Sequence, residues 1–243
     1  MPQPSKEDIE LVKQISGGVE ERSHGSDCDR RPHPTHNRSM AEPHTTFRVA
    51  DIGGDGYKLG TGLVVPRPIG WIGSRSVDGR DNLAPYSFFN VMSGDPLHVV
   101  FAPGMGEGVR KDTLDNVREI PEFTVNIVTA ETVHQMNATA ASIPADADEF
   151  EHAQLTKLRS HEIEPFRVGE AAATMECRVV DIVHVGREGG GSALVIGEVI
   201  LIHVADRLLD GTRVDQTELR AIGRHAGNWY SNATDLFDIT RPA

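Results

Sequence analysis

With 243 residues, 38% hydrophobic and 25% charged, the chain can bury a full core as one domain, or two at most. Its net charge of −12 argues against nonspecific nucleic-acid binding, which needs Lys and Arg to neutralise phosphates. No apolar run approaches the roughly 18 residues of a membrane-spanning helix, and the start MPQPSKEDIE lacks a signal peptide's apolar core. A soluble, cytoplasmic protein without nucleic-acid or membrane partners is expected.

Residues 1–46 are polar and rich in Pro, Ser, His and Arg, and read as a mobile arm ahead of a domain over 47–243. Cys28, His33 and His36 are irregularly spaced in that arm and do not make a metal site. Cys28 and Cys177 lie far apart with no Cys-x-x-Cys, so no disulfide framework is indicated, and Cys177 reads as a small buried residue of a strand. From Phe47 to Val65 the Gly-rich run DIGGDGYKLGTG predicts loop or a short hairpin.

The informative stretch is Arg67–Thr113. Asp78-Gly79 lies between the strand-like runs RPIGWIGSRS and NLAPYSFFNV, and such a dipeptide supplies the positive φ angles of a two-residue hairpin turn. Period two puts Ile69, Trp71 and Gly73 on one face and Gly70, Ile72 and Ser74 on the other. Glycines inside a strand mark close approach, either by a flat ligand or by another part of the chain at a bulge or barrel corner. After LHVVF and the loop PGMGEGVR, the spacing of Leu114, Val117 and Ile120 predicts a helix that starts at Asp112 or Thr113 and ends before Pro121. A helix start with Lys111, Arg110 and a Thr hydroxyl suits a phosphate; it equally suits a capped surface helix. An anionic ligand of so acidic a chain needs a locally basic site, and Arg67, Arg75, Arg110 and Lys111 fall in this stretch.

Beyond it, EFTVNIV alternates Phe123, Val125 and Ile127 against Thr124 and Asn126, the pattern of a half-buried strand. A helix is expected over Glu131–Ala141 with Thr129 as cap, and the acidic run in IPADADEFEHAQL reads as solvated helix or loop. AATMECRVVDIVHV and SALVIGEVILIHV, joined by a glycine turn, predict a long hairpin of about 13 residues a side. Strands joined mostly by hairpins favour an antiparallel barrel over a doubly wound sheet.

Rival chemistries lack their anchors. Gly104, Gly106 and Gly108 miss the spacing G-x-G-x-x-G, whose third Gly falls at Val109, and G-x-x-x-x-G-K-[ST], H-E-x-x-H and G-x-S-x-G are absent. The eleven histidines are dispersed; His184 and His203 read as hydrogen-bonded strand residues.

Taken together, RPIGWIGSRSVDGRDNLAPYSFFNV, LHVVFAP, RKDTLDNV, EFTVNIV and LVIGEV resemble the flavin reductase-like, FMN-binding split-barrel family that includes flavoredoxins. The resemblance covers about residues 60–232 and implies a mainly β protein with some α, a six-stranded Greek-key split barrel, usually a homodimer with FMN near the subunit interface. Carried over, Trp71, Ile72, Gly73 and Ser74 line the isoalloxazine, Tyr86, Ser87 and Asn90 contact ring, ribityl or phosphate, and Lys111, Asp112 and Thr113 hold the phosphate. In GRHAGNWY, the residues Arg224, Asn228 and Tyr230 approach the flavin. NAD(P)H-using members often carry a His five residues before the Gly of the GEV segment; Ser192 stands there in this chain. The implied activity is an NAD(P)H:flavin reductase, with a flavoredoxin-like electron carrier using a redox partner protein, or a flavin-binding module without turnover, as alternatives.

Overall fold

The computed structural model describes residues 42–104, 112–141, 143–144, 147–187 and 191–242. The chain divides into two units at Thr46/Phe47, and the fold below is that of Phe47–Ala243. The expected arm falls almost wholly outside the described residues, as do Cys28, His33, His36, Arg110 and Lys111.

Seven strands form the main sheet: β2 (Gly70–Arg75), β3 (Asp81–Tyr86), β4 (Phe89–Gly94), β5 (Leu97–Phe101), β6 (Glu122–Ile127), β9 (Ala173–Val185) and β10 (Ser192–Val204). Their order is β3-β2-β6-β9-β10-β5-β4, every pairing antiparallel. The sheet is therefore mainly antiparallel, as expected, but has seven strands rather than six and is not closed by hydrogen bonds between β3 and β4. The long hairpin is β9–β10, 13 residues on each side. A smaller sheet joins β1 (Arg67–Pro68) to β13 (Ile222–Arg224) and β14 (Tyr230–Asn232). Two-stranded ribbons β7–β8 (Lys157–Leu158, Arg167–Val168) and β11–β12 (Leu209–Asp210, Arg213–Val214) complete the β structure.

Alternate residues of β2 enter two different cores. Ile72 joins Tyr86, Phe101, Leu114, Val117 and Phe123 on one face, whereas Ile69 and Trp71 join Leu83, Met136 and Phe150 on the other. Such two-sided burial explains why β6 departs from the expected half-buried pattern. Thr124 and Asn126 are as buried as Phe123 and Val125, because β6 is a central strand whose polar face is roofed by the chain around Phe166–Val168. Each polar group is satisfied: Thr124 donates to the Phe166 carbonyl at 3.0 Å, and Asn126 donates to Trp71 O at 3.0 Å while accepting from Val168 N and Thr174 Oγ1, both at 2.9 Å.

Three local expectations change. The β2–β3 turn is a longer loop, closed by Ser76 N–H donating to Arg80 O at 2.9 Å, with a positive φ at Gly79 (81°) but not at Asp78. The run NLAPYSFFNV is not one strand: it bends at Ser87–Phe88, and its halves β3 and β4 become opposite edges of the sheet. The Gly-rich run after Phe47 is helical, as α1 (Val49–Ile52) and α2 (Asp55–Leu63). Three glycines in α2 disfavour a helix by about 1 kcal/mol each relative to Ala. Arg67 offsets part of this by donating to Thr61 O at 2.6 Å and Val64 O at 2.7 Å, which covers orphan carbonyls at the helix C-terminus.

Helix α3 (Asp112–Glu119) starts where the spacing predicts and buries Leu114 and Val117. Helix α4 (Val133–Ala138) is shorter than expected and is preceded by Thr132, not capped by Thr129. The acidic run contains α5 (Glu149–His152), capped by Asp148, whose carboxylate accepts from Phe150 N and Glu151 N. A last short helix, α6 (Gln216–Leu219), precedes β13. Cys177 is fully buried, as expected, and burial pushes its thiol well above the usual range. No described helix is long and apolar enough to cross a membrane.

Candidate functional site

Period two places Asn82, Ala84 and Tyr86 on one face of β3. All three line a cleft of about 230 Å³ together with Asp112 and Thr113 of α3, Glu149 of α5 and the turn at Thr139. As an edge strand, β3 leaves outward backbone groups to be matched by something other than a strand. Leu83 N–H is taken by Glu149 at 3.3 Å, and Pro85 has no N–H to match.

Four buried side chains set the polar end. Asn82 Nδ2 donates to Thr113 Oγ1 at 2.8 Å and to Ser74 Oγ at 3.1 Å, and Asn116 Nδ2 donates to the same Ser74 oxygen at 3.1 Å. Accepting from Asn82 leaves the Thr113 hydroxyl hydrogen for another acceptor. Tyr86 is buried beside it, and among the described residues its Oη has no partner within hydrogen-bond geometry, the Thr113 hydroxyl being close enough only to favour the phenolate. Burial pushes the phenol up to about 12; the Thr113 hydroxyl opposes this, and the charges of Asp112 and Glu149 add to it. Tyr86 is thus a neutral donor at ordinary pH. An unpaired buried hydroxyl costs about 1–3 kcal/mol, which a ligand oxygen would recover.

The first turn of α3 brings the positive end of the helix dipole to this end of the cleft. Carboxylates also face the cleft, from Asp112 and Glu149. Burial holds the Glu149 carboxyl above its usual range against hydrogen bonds from its own N–H and that of Leu83, and the neighbouring Asp148 and Asp112 raise it further. This donor set fits a flavin mononucleotide: N–H and hydroxyl donors suit phosphate and ribityl oxygens, and carboxylates suit ribityl hydroxyls.

The residues expected to touch flavin do not all meet at this cleft. Ser74, Tyr86, Asp112 and Thr113 come together at or directly behind this cleft. Ser87 and Asn90 line a second, larger cleft with Arg67 and Phe88. Trp71 and Ile72 are fully buried, and the Trp71 indole N–H donates to Thr139 Oγ1 at 2.9 Å, bracing the cleft wall from behind. Gly73 is approached by the chain itself: a Cβ there would lie 2.4 Å from Thr124 Oγ1 and 2.8 Å from Phe166 O. Gly70 likewise meets the Phe89 ring, at 2.6 Å. In the β13–β14 hairpin, Arg224 lies 4.4 Å over the Tyr230 ring, Tyr230 Oη donates to Asn137 Oδ1 at 3.3 Å, and Asn228 is exposed; none of the three lines either cleft. Lys111 lies outside the described residues.

Sequence reasoning missed Asn82, Asn116, Thr139 and Glu149. Asn82 was within reach, since period two puts it on the face of Tyr86. Asn116 shares a helix face with Thr113 at i+3. Glu149 gave no signal inside an acidic run.

Three comparisons bear on this arrangement. An uncharacterized protein of Aquifex aeolicus is 38% identical over 190 residues, spanning 77% of this chain and 95% of that one. The crystal structure of nitrilotriacetate monooxygenase component B from Bacillus cereus superposes with a TM-score of 0.78 at 32% identity, over 82% of this chain and 100% of that one. The 2-nitrobenzoate 2-nitroreductase NbaA of Pseudomonas fluorescens superposes with a TM-score of 0.74 at 29% identity, over 82% and 96%. Residues 62–219 match the model of the flavin reductase like domain, a span that holds β2, β3, α3 and the cleft between them; the chain belongs to that split-barrel family and has a flavin-related oxidoreductase or flavin-binding role.

Proposed function

We propose that the protein binds FMN and transfers hydride or electrons through it, as an NAD(P)H:flavin reductase. The carrying observation is the unpartnered Tyr86 hydroxyl beside Thr113 and Asn82 at the start of α3. The start of α3, with Thr113 and Lys111, takes the phosphate. Tyr86, beside Thr113, takes a phosphate or ribityl oxygen, and the ring lies further on, toward the Ser87 end of β3. Bound FMN supplies reversible hydride and electron transfer, and the protein supplies binding and orientation. Asn82 holds the Thr113 hydroxyl in place, and the Trp71–Thr139 bond keeps the cleft wall from collapsing onto the site.

Ser192 supports a second reading, an electron carrier served by a redox partner protein. It begins β10 opposite Val185, where the expected nicotinamide-side His would stand. A homodimer is part of the proposal: Val91 and Met92 on β4, and Val180, Val183 and Val185 on β9, are exposed apolar side chains that a second copy would cover. The absorption spectrum and released cofactor of the purified protein test flavin binding. Anaerobic mixing with NADH and NADPH then separates the readings, because only a reductase bleaches its flavin at a useful rate.

A further inference from the structure

The second cleft has a volume of about 520 Å³, inside the 300–1,000 Å³ usual for small-molecule sites. Its walls are apolar: Tyr57 and Val64 from the α2 side, Pro66 and Pro68 around β1, Phe88 and Phe89 at the break between β3 and β4. Tyr57 and Phe88 stand 6.2 Å apart between ring centres, tilted by 57°, and both are exposed. Arg67 is the only charged residue in the lining among the described residues.

Arg67 is only 7% exposed, yet its bonds all go to neutral acceptors: Thr61 O, Val64 O, His225 O at 3.0 Å and Ser87 Oγ at 3.5 Å. No carboxylate pairs with it among the described residues. A guanidinium has five N–H donors, and these four bonds leave one Nη2 hydrogen unassigned. Helix α2 offsets part of the charge through its C-terminal carbonyls, but dipoles do not neutralise a buried cation. Buried charges are normally paired. An apolar cleft with aromatic walls and one buried, unpaired cation calls for a flat ligand carrying one negative charge.

We infer that this cleft binds a planar aromatic monoanion, its ring lying against the packed pair Tyr57 and Phe88 and its anionic group toward Arg67. The inference deepens the proposed function by naming a compound class for the open Ser87 end of the flavin site. Binding itself does not require flavin to be present.

The test uses the full chain as purified, titrated calorimetrically with 2-naphthoate and with 2-naphthamide, which has the same ring and no charge. Naphthoate should bind at least tenfold tighter. Tyr57→Ala and Phe88→Ala, both at exposed positions, should each weaken naphthoate at least fivefold while circular dichroism stays that of the parent. Arg67→Gln, if it folds, should erase the preference for the acid. Equal affinity for acid and amide, or no binding of either by protein that still takes up FMN, overturns the inference and leaves the flavin reading standing. Release of FMN mole for mole by naphthoate also overturns it, because the cleft then belongs to the flavin ring. A naphthoate preference kept by protein that never takes up flavin sustains the inference and removes the flavin reading.

Discussion

Replacing Tyr86 by Phe separates a ligand-binding hydroxyl from a structural one, because the two roles predict opposite signs. The Tyr86 ring packs in the core 5.2 Å from Phe101 and tilted by 45°, and Phe keeps that packing. What it removes is a buried hydroxyl without a partner. Flavin-free Tyr86→Phe protein should therefore be more stable, by up to about 1 kcal/mol, the lower end of the cost of an unsatisfied buried group. For a domain near 200 residues that is about 2–4 °C in Tm. FMN should bind more weakly by about 0.5–1.5 kcal/mol, or roughly two- to tenfold, the worth of a neutral hydrogen bond. An alkaline signature accompanies the change. With the phenol raised from 10.0 to about 12 in the fold, the native state keeps a proton that the unfolded chain gives up. The stability this contributes is complete below pH 10 and is lost as pH rises through about 12. Tyr86→Phe should remove that decline. Thermal melts of flavin-free protein from pH 8 to 11 and FMN titrations by fluorescence quenching read both signs. A variant less stable than its parent, or one with unchanged FMN affinity, would refute the assignment of this hydroxyl to the ligand.

Asn82→Ala should cost about 1–3 kcal/mol of stability, since it strands Thr113 and Ser74 in a buried network, and should weaken FMN as well; urea unfolding and flavin titration check it. Lys111→Ala should weaken FMN by about ten- to a hundredfold but spare riboflavin, which lacks the phosphate; equal losses would place the phosphate elsewhere. Gly73→Ala should destabilise by about 1–3 kcal/mol even without flavin, because the new methyl meets Thr124 and the Phe166 carbonyl; a loss seen only in flavin binding would restore the ligand-approach reading. Burial pushes the Glu176 carboxyl up, but bonds from His161 N–H, His203 and Glu162 N–H outweigh it and hold the group below its usual 4.5. Its stabilisation is therefore complete above pH 4.5 and lost as pH falls through the lower native value. In Glu176→Gln the acid limb of a urea-midpoint profile should flatten. A chain beginning at Phe47 should still bind FMN, and light scattering of the full chain should find a dimer; colourless folded truncated protein, or a full-length flavin-bound monomer of 26.5 kDa, would refute those two expectations.

Local patterning in the sequence was enough to place β2, β3, β5, β6, the start of α3 and both sides of the β9–β10 hairpin. Period-two alternation, a glycine loop and a capped apolar helix face are short-range signals, set within a turn or a strand. The helix start also brought Asp112 and Thr113 forward as site residues, whereas Tyr86 came from the family resemblance. Tertiary structure decided what such signals do not carry. Thr124 and Asn126 look solvent-facing in sequence and are fully buried, because the chain from Phe166 to Val168 roofs a strand already flanked on both edges. The Gly-rich run after Phe47 is helical despite its glycines, and part of their cost is offset from outside the helix by Arg67 at its C-terminal carbonyls. The glycines of β2 proved to be points of contact with Phe89, Thr124 and Phe166, which sequence alone could not separate from a ligand. The site depends on the same long-range closure: Ser74, Asn82, Thr113 and Asn116 span 42 positions and share one hydrogen-bond network. Ser74 and Asn82 are brought within 3 Å or so of the helix pair Thr113 and Asn116 only by the packing of α3 against β2 and β3, since no periodicity links the strands to the helix.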